Sequence, residues 1–425
     1  MTIFLVFTGL IALLLTGMPV FAALGLTATI ILLIFEGHTG SVADTVYAHL
    51  DKPILITIPL FVFMANVMIR AKAIDDLYDM ANAFVGHLRG GLGVATVLSC
   101  TIFAAISGSS VATALSIGSS AIPQMKRFGY PERSALGVIA AGGTLGILIP
   151  PSGPMILYAI VSEVSIGALF LAGIVPGLLL ALIFSIYCMV SAGGTETPDW
   201  GGWANAAVAF RRSFFAVMAP PVVMVGIYFG IFTASEAAAV GSLYALFVAT
   251  LVYRNFGLND LWECAYSAMR TSMMLFMIIA AAAMFGHAIT IIRLPHGVTE
   301  AVSTLGVGPV GFILIVMVLI FVMGMFFESI AIILITTPIL LPTMDALGVD
   351  LVWYGILLMI NLELAMITPP VGMNLFVIKG ITNAPLMEVV KGAAPYVALM
   401  IFGMILMLAV PELATWLPYS AGFGR

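Results

Sequence analysis

Two of the three pairs of consecutive prolines in the sequence stand in "GILIPPSG" and "MITPPVG", both inside long apolar stretches. Proline has no N–H to donate to the carbonyl four residues earlier, so each pair must break the helix that contains it. The prolines are Pro150, Pro151, Pro369 and Pro370. The carbonyl oxygens predicted to lose their donors belong to Gly146, Ile147, Ala365 and Met366. Unpaired oxygens at the negative end of a broken membrane helix can bind a partly dehydrated cation.

Polar clusters at the centres of two other apolar stretches could supply further ligands. They are "SGSS" at residues 107–110 and "FFES" at residues 326–329. Their side chains with oxygen atoms are Ser107, Ser109, Ser110, Glu328 and Ser329. Serine is a common N-cap, and a helix that begins at such a residue presents free N–H groups to an anion. A cation at the helix breaks and a carboxylate at the polar clusters can therefore share one cavity.

The elements that must position these groups are membrane helices. Of the 425 residues, 62% are hydrophobic and only 8% are charged, and no water-soluble core of this size needs so little polar cover. Apolar runs near or above the roughly 18 residues of a membrane span recur along the whole chain. They cover residues 2–35, 53–69, 91–123, 134–161, 166–192, 213–232, 235–253, 269–292, 310–342, 351–378 and 392–412. The sequence therefore predicts an all-α polytopic membrane protein, whose first run is kept as a membrane helix because it lacks the features of a cleaved signal peptide.

The positions of the 15 Lys and Arg residues predict the orientation in the membrane. Runs 91–123 and 310–342 are treated as re-entrant hairpins that enter and leave on the same side. One side then receives Arg70, Lys72, Arg89, Lys126, Arg127, Arg133, Arg211, Arg212, Arg254, Arg270, Lys379 and Lys391. The other side receives Lys52, Arg293 and Arg425. Because basic residues are enriched in cytoplasmic loops, the N-terminus is predicted to be cytoplasmic and the C-terminus periplasmic.

An internal repeat indicates the architecture. Residues 105–153 align without a gap with residues 324–372, and half of the identities are prolines or glycines, whose turn chemistry is hard to match by chance. The loop after the first hairpin, "KRFGYPER", is basic, whereas its counterpart "DALGVDLV" has no base. The two copies must therefore face opposite sides. The predicted fold has inverted-topology repeats with two re-entrant helical hairpins and two broken transmembrane helices, which is typical of secondary transporters.

Structural interpretations compete at several of these residues. Paired prolines can be packing kinks, and Ser/Gly clusters can serve close helix packing. Glu328 and Glu363 lie inside apolar stretches, where an ionisable group is functional by default or else a neutral hydrogen-bonded acid. Asn374 could equally contact substrate or join helices. Residues 233–236 fit a helix-capping box, and His287 is more readily a packing or hydrogen-bonding residue than a proton relay.

Other function classes are disfavoured. No basic stripe indicates nucleic-acid binding, and the longest polar stretch, residues 191–212, is predicted to be a loop. Cys100, Cys188 and Cys264 are far apart, which favours packing over a disulfide framework or a metal cluster. An intramembrane enzyme would need a nucleophile with a base, or a metal pair, and no HExxH motif or Ser/His couple within one repeat is present. The sequence predicts that the protein is not an enzyme.

The motifs identify a family. The chain resembles the large membrane subunit of tripartite ATP-independent periplasmic (TRAP) transporters from its first helix to its last. The similarity lies in "LTGMPVFAALGL", "HLRGGLGVATVLSCTIFAAISGSSVAT", "GTLGILIPPSGPMILYA", "GIFTASEAAAVGSLYAL" and "ITPPVGMNLFVIKGI". The order and spacing of "SGSS", "ILIPPS" and the second Pro-Pro are specific to the family. One departure is Ala234-Ser235, where the family pattern has Pro-Thr before the glutamate.

The resemblance implies a sodium-coupled importer of an organic acid in the bacterial inner membrane. Its expected partners are a periplasmic substrate-binding protein, a small four-helix membrane subunit on a separate chain, and membrane lipids, with no organic cofactor and no nucleic acid. The implied sodium ligands are Ser107, Ser109, Ser110, Gly146, Ile149, Pro151, Glu328, Ser329, Ala365, Thr368 and Pro370. The expected substrate contacts are Ser110, Ser152, Ser329 and Asn374.

The family also implies an elevator-type fold similar to the ion transporter superfamily, in which a mobile block moves against a scaffold. The expected mobile block comprises residues 91–192, with hairpin 91–128 and broken helix 133–161, and residues 310–412, with hairpin 310–345 and broken helix 351–379. Residues 1–90 and 193–309 would form the scaffold, with arm helices near 71–88 and 256–268, and residues 413–425 a periplasmic tail.

The main alternative is a proton-coupled or binding-protein-independent carrier of organic anions, with Glu328 or Glu363 as the proton site. A passive channel fits inverted hairpins and helix breaks less well than alternating access does. The identity of the organic acid stays open, since C4-dicarboxylates, sialic acid, sulfonates and keto acids all fit the family.

Overall fold

A computed structural model of the protein describes residues 2–192 and 197–423, and its regular structure is helical. The α-helices of the first part are α1 (Thr2–Leu15), α2 (Val20–Phe35), α3 (Ser41–Leu50), α4 (Thr57–Arg70), α5 (Ala73–Val85), α6 (Gly91–Ser107), α7 (Ser110–Arg127), α8 (Glu132–Gly143), α9 (Leu145–Leu148), α10 (Gly153–Ser162) and α11 (Ile166–Ser191). Those of the second part are α12 (Gly202–Val217), α13 (Ala219–Tyr228), α14 (Ala234–Phe247), α15 (Leu258–Ile291), α16 (Leu294–Thr304), α17 (Pro309–Gly324), α18 (Ser329–Ala346), α19 (Leu351–Met366), α20 (Met373–Thr382), α21 (Leu386–Ala409) and α22 (Glu412–Ser420). A 3₁₀ turn, Pro53–Ile56, precedes α4, and a π-helical turn, Val248–Val252, extends α14.

Helices long and apolar enough to span a membrane dominate the chain. Seven such stretches lie within the described residues, and an eighth is formed if α12 and α13, which meet at 50°, are counted as one. This confirms an all-helical polytopic membrane protein. The shorter apolar helices include α6, α17, α19 and α20, which belong to the predicted hairpins and broken helices.

Both hairpins and both helix breaks form where the sequence predicts them. The first hairpin is α6 and α7, which turn at Gly108 and Ser109, and the second is α17 and α18, which turn at residues 325–328. The first broken helix runs from α8 through α9, breaks at residues 149–152 and continues as α10. The second runs from α19, breaks at residues 367–372 and continues as α20. Both Pro-Pro peptide bonds are cis.

The two repeats interlock. Helix α10, the far half of the first broken helix, packs against α18 of the second hairpin. In the same way α20, the far half of the second broken helix, packs against α7 of the first hairpin. A separate group of long helices, α2, α4, α14 and α15, packs together beside them. Each hairpin is therefore held partly by the other repeat.

Four segments differ from the prediction. The apolar run 2–35 is not one helix but α1 and α2, because Pro19 cannot donate to the preceding turn and Gly17 adopts φ +82°. The predicted second arm, 256–268, is not a separate helix but the start of the continuous α15, which meets no proline and no glycine before Gly286.

The other two differences concern predicted loops. Within the predicted loop 191–212, residues from 202 onward belong to α12, while residues 193–196 lie outside the described part of the chain. Most of the predicted tail 413–425 belongs to α22, which packs against α11, and Arg425 lies outside the described residues. The first predicted arm does form a short helix, α5.

Candidate functional site

A cavity of about 330 Å³ lies where the two hairpin tips approach each other. Its lining comes from the first tip, the first helix break, the second tip, and helices α4 and α15. The polar side chains along it are Ser107, Ser109, Ser110, Glu328, Ser329, Asn66 and Thr271. Lys and Arg are absent from its described lining. An anion in this cavity must therefore be held by N–H groups, hydroxyls or a bound cation.

The first hairpin tip rests directly on the first helix break. A Cβ on Gly108, which has φ +59°, would stand 2.6 Å from the carbonyl oxygen of Pro151. A Cβ on Gly146 would stand 2.6 Å from the peptide group that joins Ser109 to Ser110. Glycine is required at both places because backbone lies against backbone, and neither side can move aside as a flexible side chain could.

Hydroxyl groups fix the shape of this tip. The Oγ of Ser109 accepts the Ala112 N–H at 3.4 Å and so caps α7. The Thr113 hydroxyl donates to the Ser109 carbonyl at 2.8 Å and lies 3.0 Å from the Ser107 hydroxyl. The tip is thereby preorganised beside the break.

The first break leaves carbonyl oxygens unpaired, as predicted. The last bond of α9 runs from the Ile149 N–H to the Leu145 carbonyl at 3.0 Å. Within residues 2–192 and 197–423, no backbone N–H from beyond α9 donates to the Gly146 or Ile147 carbonyl. Pro150 and Pro151 occupy the positions that would have supplied those donors.

The second break is closed differently. The Thr368 N–H donates to the Ala365 carbonyl at 3.1 Å, so the prediction that this carbonyl lacks an N–H donor was wrong. The helix tightens to an i→i+3 turn before the prolines, and the Thr368 hydroxyl donates to the Leu364 carbonyl at 2.7 Å. A carbonyl oxygen has two lone pairs, so Ala365 can still bind a cation.

Comparison with known proteins identifies the chain. The family profile described as "Tripartite ATP-independent periplasmic transporter, DctM component" matches residues 7–413. The protein belongs to the DctM family.

Relatives within this family support the assignment along nearly the full length. The large permease protein of a C4-dicarboxylate TRAP transporter from Vibrio cholerae is 37% identical, with 98% of each chain covered. The corresponding ectoine protein of Halomonas elongata is 34% identical over 96% of this chain and 97% of its own. The large permease protein of a sialic acid TRAP transporter from Vibrio cholerae is 32% identical, with 98% of this chain and 99% of that one covered. These relatives are transporter permeases, so this DctM protein is not an enzyme.

The fold is shared with more distant transporters. The structure of the Alcanivorax borkumensis YdaH transporter matches with a TM-score of 0.65 at 12% identity, covering 91% of this chain and 89% of that one. The structure of the Neisseria gonorrhoeae efflux pump MtrF matches with a TM-score of 0.53 at 13% identity, covering 90% of this chain and 84% of that one. At such low identity the match concerns the fold alone.

The structure of the DctM protein divides the predicted site residues into two groups. Those that line the cavity are Ser107, Ser109, Ser110, Pro151, Glu328 and Ser329. Those outside its lining are Gly146, Ile149, Pro150, Ser152, Ala365, Thr368, Pro369, Pro370 and Asn374. Ser152 and Asn374, two of the four expected substrate contacts, are almost completely buried behind the cavity.

Sequence reasoning missed two cavity residues of the DctM protein. Asn66 on α4 and Thr271 on α15 line the cavity together with the hairpin tips. Both are polar residues within apolar runs, which was an available signal. The capping box predicted at residues 233–236 is present, formed by Thr233 and Glu236 at the start of α14. His287 is a hydrogen-bonding residue, as expected, with its ring 3.1 Å from the Ser41 hydroxyl.

Proposed function

We propose that this DctM protein is the large membrane subunit of a sodium-coupled TRAP transporter that imports an organic acid by an elevator movement. The observation that carries the proposal is the contact between the first hairpin tip and the first helix break. Unpaired carbonyl oxygens and a hydroxyl-rich tip meet there beside a cavity without basic side chains. Such a wall can bind a cation, and a bound cation would help to hold an anion in the cavity.

Glu328 supports ion coupling. Its carboxyl group lines the same cavity as the N-termini of α7 and α18, where a substrate carboxylate would accept N–H bonds. No side chain among the described residues caps α18, so its first N–H groups are free of side-chain partners. Two carboxylates in one small cavity repel each other unless a cation lies between them. Sodium at the tips would therefore raise substrate affinity, which is coupling between sites.

The proposed sodium ligands follow the two breaks. The first site would use Ser107, Ser109, Ser110 and the carbonyls of Gly146, Ile149 and Pro151. The second would use Glu328, Ser329 and the carbonyls of Ala365, Thr368 and Pro370. Substrate would contact Ser110 and Ser329 directly, because both line the cavity. Ser152 and Asn374 are buried and lie outside the cavity lining, so they could influence substrate binding only indirectly.

The interlocked repeats support an elevator movement. Helices α6–α11 and α17–α21 would move as one block, since each broken helix packs on the other repeat's hairpin. Helices α2, α4, α14 and α15 would form part of the scaffold. The transporter would lie in the bacterial inner membrane, with a cytoplasmic N-terminus, and would work with a small membrane subunit and a periplasmic binding protein. The relatives are named for C4-dicarboxylates, ectoine, isethionate or sialic acid, so the substrate class proposed here is a small organic acid.

The test is uptake into proteoliposomes that contain the protein with its small membrane subunit, supplied with the binding protein and its ligand. An inward sodium gradient should drive accumulation, and removal of that gradient should abolish it. Uptake that ignores sodium and follows a proton gradient would contradict the proposal. Uptake that needs no binding protein would contradict its TRAP arrangement.

A further inference from the structure

The cavity at the hairpin tips is polar in only part of its lining. Five of its seven polar side chains belong to the two tips, and the other two are Asn66 and Thr271. Helix α4 otherwise contributes apolar residues, among them Phe61, and α15 contributes Met274 and Leu275. A molecule that fills the cavity therefore meets polar groups at the tips and mainly apolar groups from α4 and α15.

The two tips differ in charge at equivalent positions. Ser109 at the first tip accepts the Ala112 N–H through its Oγ, so its own hydroxyl proton remains available for an anion. Glu328 is its repeat equivalent at the second tip. The exposed carboxyl group of Glu328 lines the cavity and takes part in none of the salt bridges between described residues. This carboxylate would repel a second anionic group on the substrate, so the cavity has a place for one carboxylate, at the first tip.

Basic groups are absent from the cavity. None of its described lining residues is Lys, Arg or His. Arg70 directly follows the lining residue Ile69, but its guanidinium is held by Asp260 at 2.6 Å and by Glu263 at 3.0 Å. A second carboxylate in the cavity would therefore lose its water without gaining a countercharge, which is strongly unfavourable.

Two of the tip hydroxyls are already engaged within the protein. The Ser110 hydroxyl donates to the Oε1 atom of Glu363, and the Ser329 hydroxyl donates to the Met366 sulfur at 3.6 Å. Neither hydroxyl has a second proton to donate. A substrate rich in hydroxyl groups would therefore find few donors to replace the hydrogen bonds that it makes with water.

Methionine recurs in the apolar part of the lining. Met274 on α15 and the two residues that flank the second helix break, Met366 and Met373, all line the cavity. The methionine side chain is unbranched and flexible, so it fits apolar groups of different shapes. The cavity volume of about 330 Å³ is near the lower end of the range for ligand pockets, roughly 300–1,000 Å³. Lining and volume together suit a small substrate with an alkyl or aryl remainder.

We infer that the substrate is a small monocarboxylate with an apolar remainder, rather than a dicarboxylate or a polyhydroxylated acid. Its carboxylate would lie at the first tip, and its alkyl or aryl part against α4 and α15. This inference rests on the proposed function for the use of this cavity as the substrate site. Glu328 is among the proposed ligands of the second sodium ion, which would compensate its charge, so the substrate needs no cationic group.

The first arm of the test compares three probes that share one carboxylate and a five-carbon chain. Pentanoate ends in a methyl group, glutarate in a second carboxylate and 5-aminopentanoate in an ammonium group. Isothermal titration of the purified complex of both membrane subunits, in sodium, gives the three dissociation constants. Pentanoate should bind at least about tenfold more tightly than either of the other two, because its far end carries no charge into the cavity.

Every other ranking would overturn the inference. Glutarate that binds as tightly as pentanoate, or more tightly, would show that the cavity neutralises a second carboxylate. The same result for 5-aminopentanoate would show that Glu328 pairs with a cationic group on the substrate. Binding of none of the three would show that the cavity does not accept a small aliphatic carboxylate.

The second arm adds a base to the lining. Met274→Lys places an ammonium group among the apolar residues and should raise the affinity for glutarate relative to pentanoate by at least about tenfold. Met269→Lys, on the same helix but exposed and outside the cavity lining, is the matched control and should keep the wild-type ratio. Equal melting temperatures without ligand would show that both variants are folded. An unchanged ratio in a folded Met274→Lys protein would overturn the inference.

Titrations with choline in place of sodium separate the inference from the proposed function. A preference for pentanoate that does not depend on sodium would contradict the proposed sodium coupling and leave the substrate class intact. Sodium-dependent binding that favours glutarate would overturn the substrate class and leave the proposed coupling intact.

Discussion

The two helix breaks have the same proline chemistry but different surroundings. The first break is enclosed: Pro150 and Pro151 are buried, and Ser152 is 1% exposed. The second is open: Pro369 and Pro370 are exposed, and Val371, the repeat equivalent of Ser152, is 36% exposed. The repeated sequence therefore determines where the helices break, whereas packing determines which break is exposed at the surface of the protein. A transporter that works by alternating access needs one site to be closed while the other is open, because two sites open at once would let solute leak across the membrane.

The largest expected effect comes from Gly146, where the enclosed break touches the first tip. Gly146→Ala places a Cβ 2.6 Å from the Ser109–Ser110 peptide, and backbone on both sides cannot give way. The tip must then shift by a sizeable fraction of an ångström, and uptake should fall by about a hundredfold. This loss is measured as the rate of sodium-driven uptake in proteoliposomes.

Ala365 provides the matched control, because it is the repeat equivalent of Gly146 and already carries a Cβ. Ala365→Gly removes a methyl group that packs against Gly324 and should cost only about 1 kcal/mol of stability, with most uptake retained. Equal losses in the two variants would show that the first break is not more tightly packed than the second.

Accessibility to a thiol reagent sharpens the comparison further. Ser152→Cys and Val371→Cys place a thiol at equivalent positions of the two breaks, and the native cysteines are buried. A membrane-permeant maleimide should label Val371→Cys at least about tenfold faster, because a buried thiol is protected. Labelling is followed by mass spectrometry after short exposures. Similar rates at both positions would mean that the two breaks are equally open.

Much of this architecture was predictable from local chemistry. The pairs Pro150-Pro151 and Pro369-Pro370 each remove two consecutive N–H donors, and "SGSS" at residues 107–110 combines glycine with a serine that caps the next helix. Composition then predicts the helical membrane class, and the repeat offset predicts that the hairpin and the broken helix each occur twice. The capping box at residues 233–236 formed for the same reason, since its bonds involve only neighbours in sequence.

What the sequence could not predict depends on contacts between distant residues. Ser110 and Glu363 are 253 residues apart, and no spacing rule relates them. The burial of Asn374 and Ser152 behind the cavity follows from how α20 and α10 pack against the opposite hairpins. The Ala365 carbonyl was misjudged because the helix tightened into an i→i+3 turn, an adjustment that proline itself does not dictate. Packing therefore decides how the predicted site residues are arranged around the hairpin tips and the helix breaks.

The smallest expected effect separates the two hairpin tips. Ser109 caps α7 through its hydroxyl, whereas Glu328, its repeat equivalent, makes no capping bond to α18. Ser109→Ala should therefore lower the free energy of unfolding by about 1 kcal/mol. Glu328→Gln should change it little, because Glu328 is exposed, makes no capping bond, and interacts with the helix N-terminus only through solvent. Melting curves of the detergent-purified protein without sodium measure both variants, so that ion binding does not contribute. If Glu328→Gln destabilised the protein as much as Ser109→Ala, the second tip would have to be held by a contact of Glu328 that forms in solution, and the two tips would be equally preorganised.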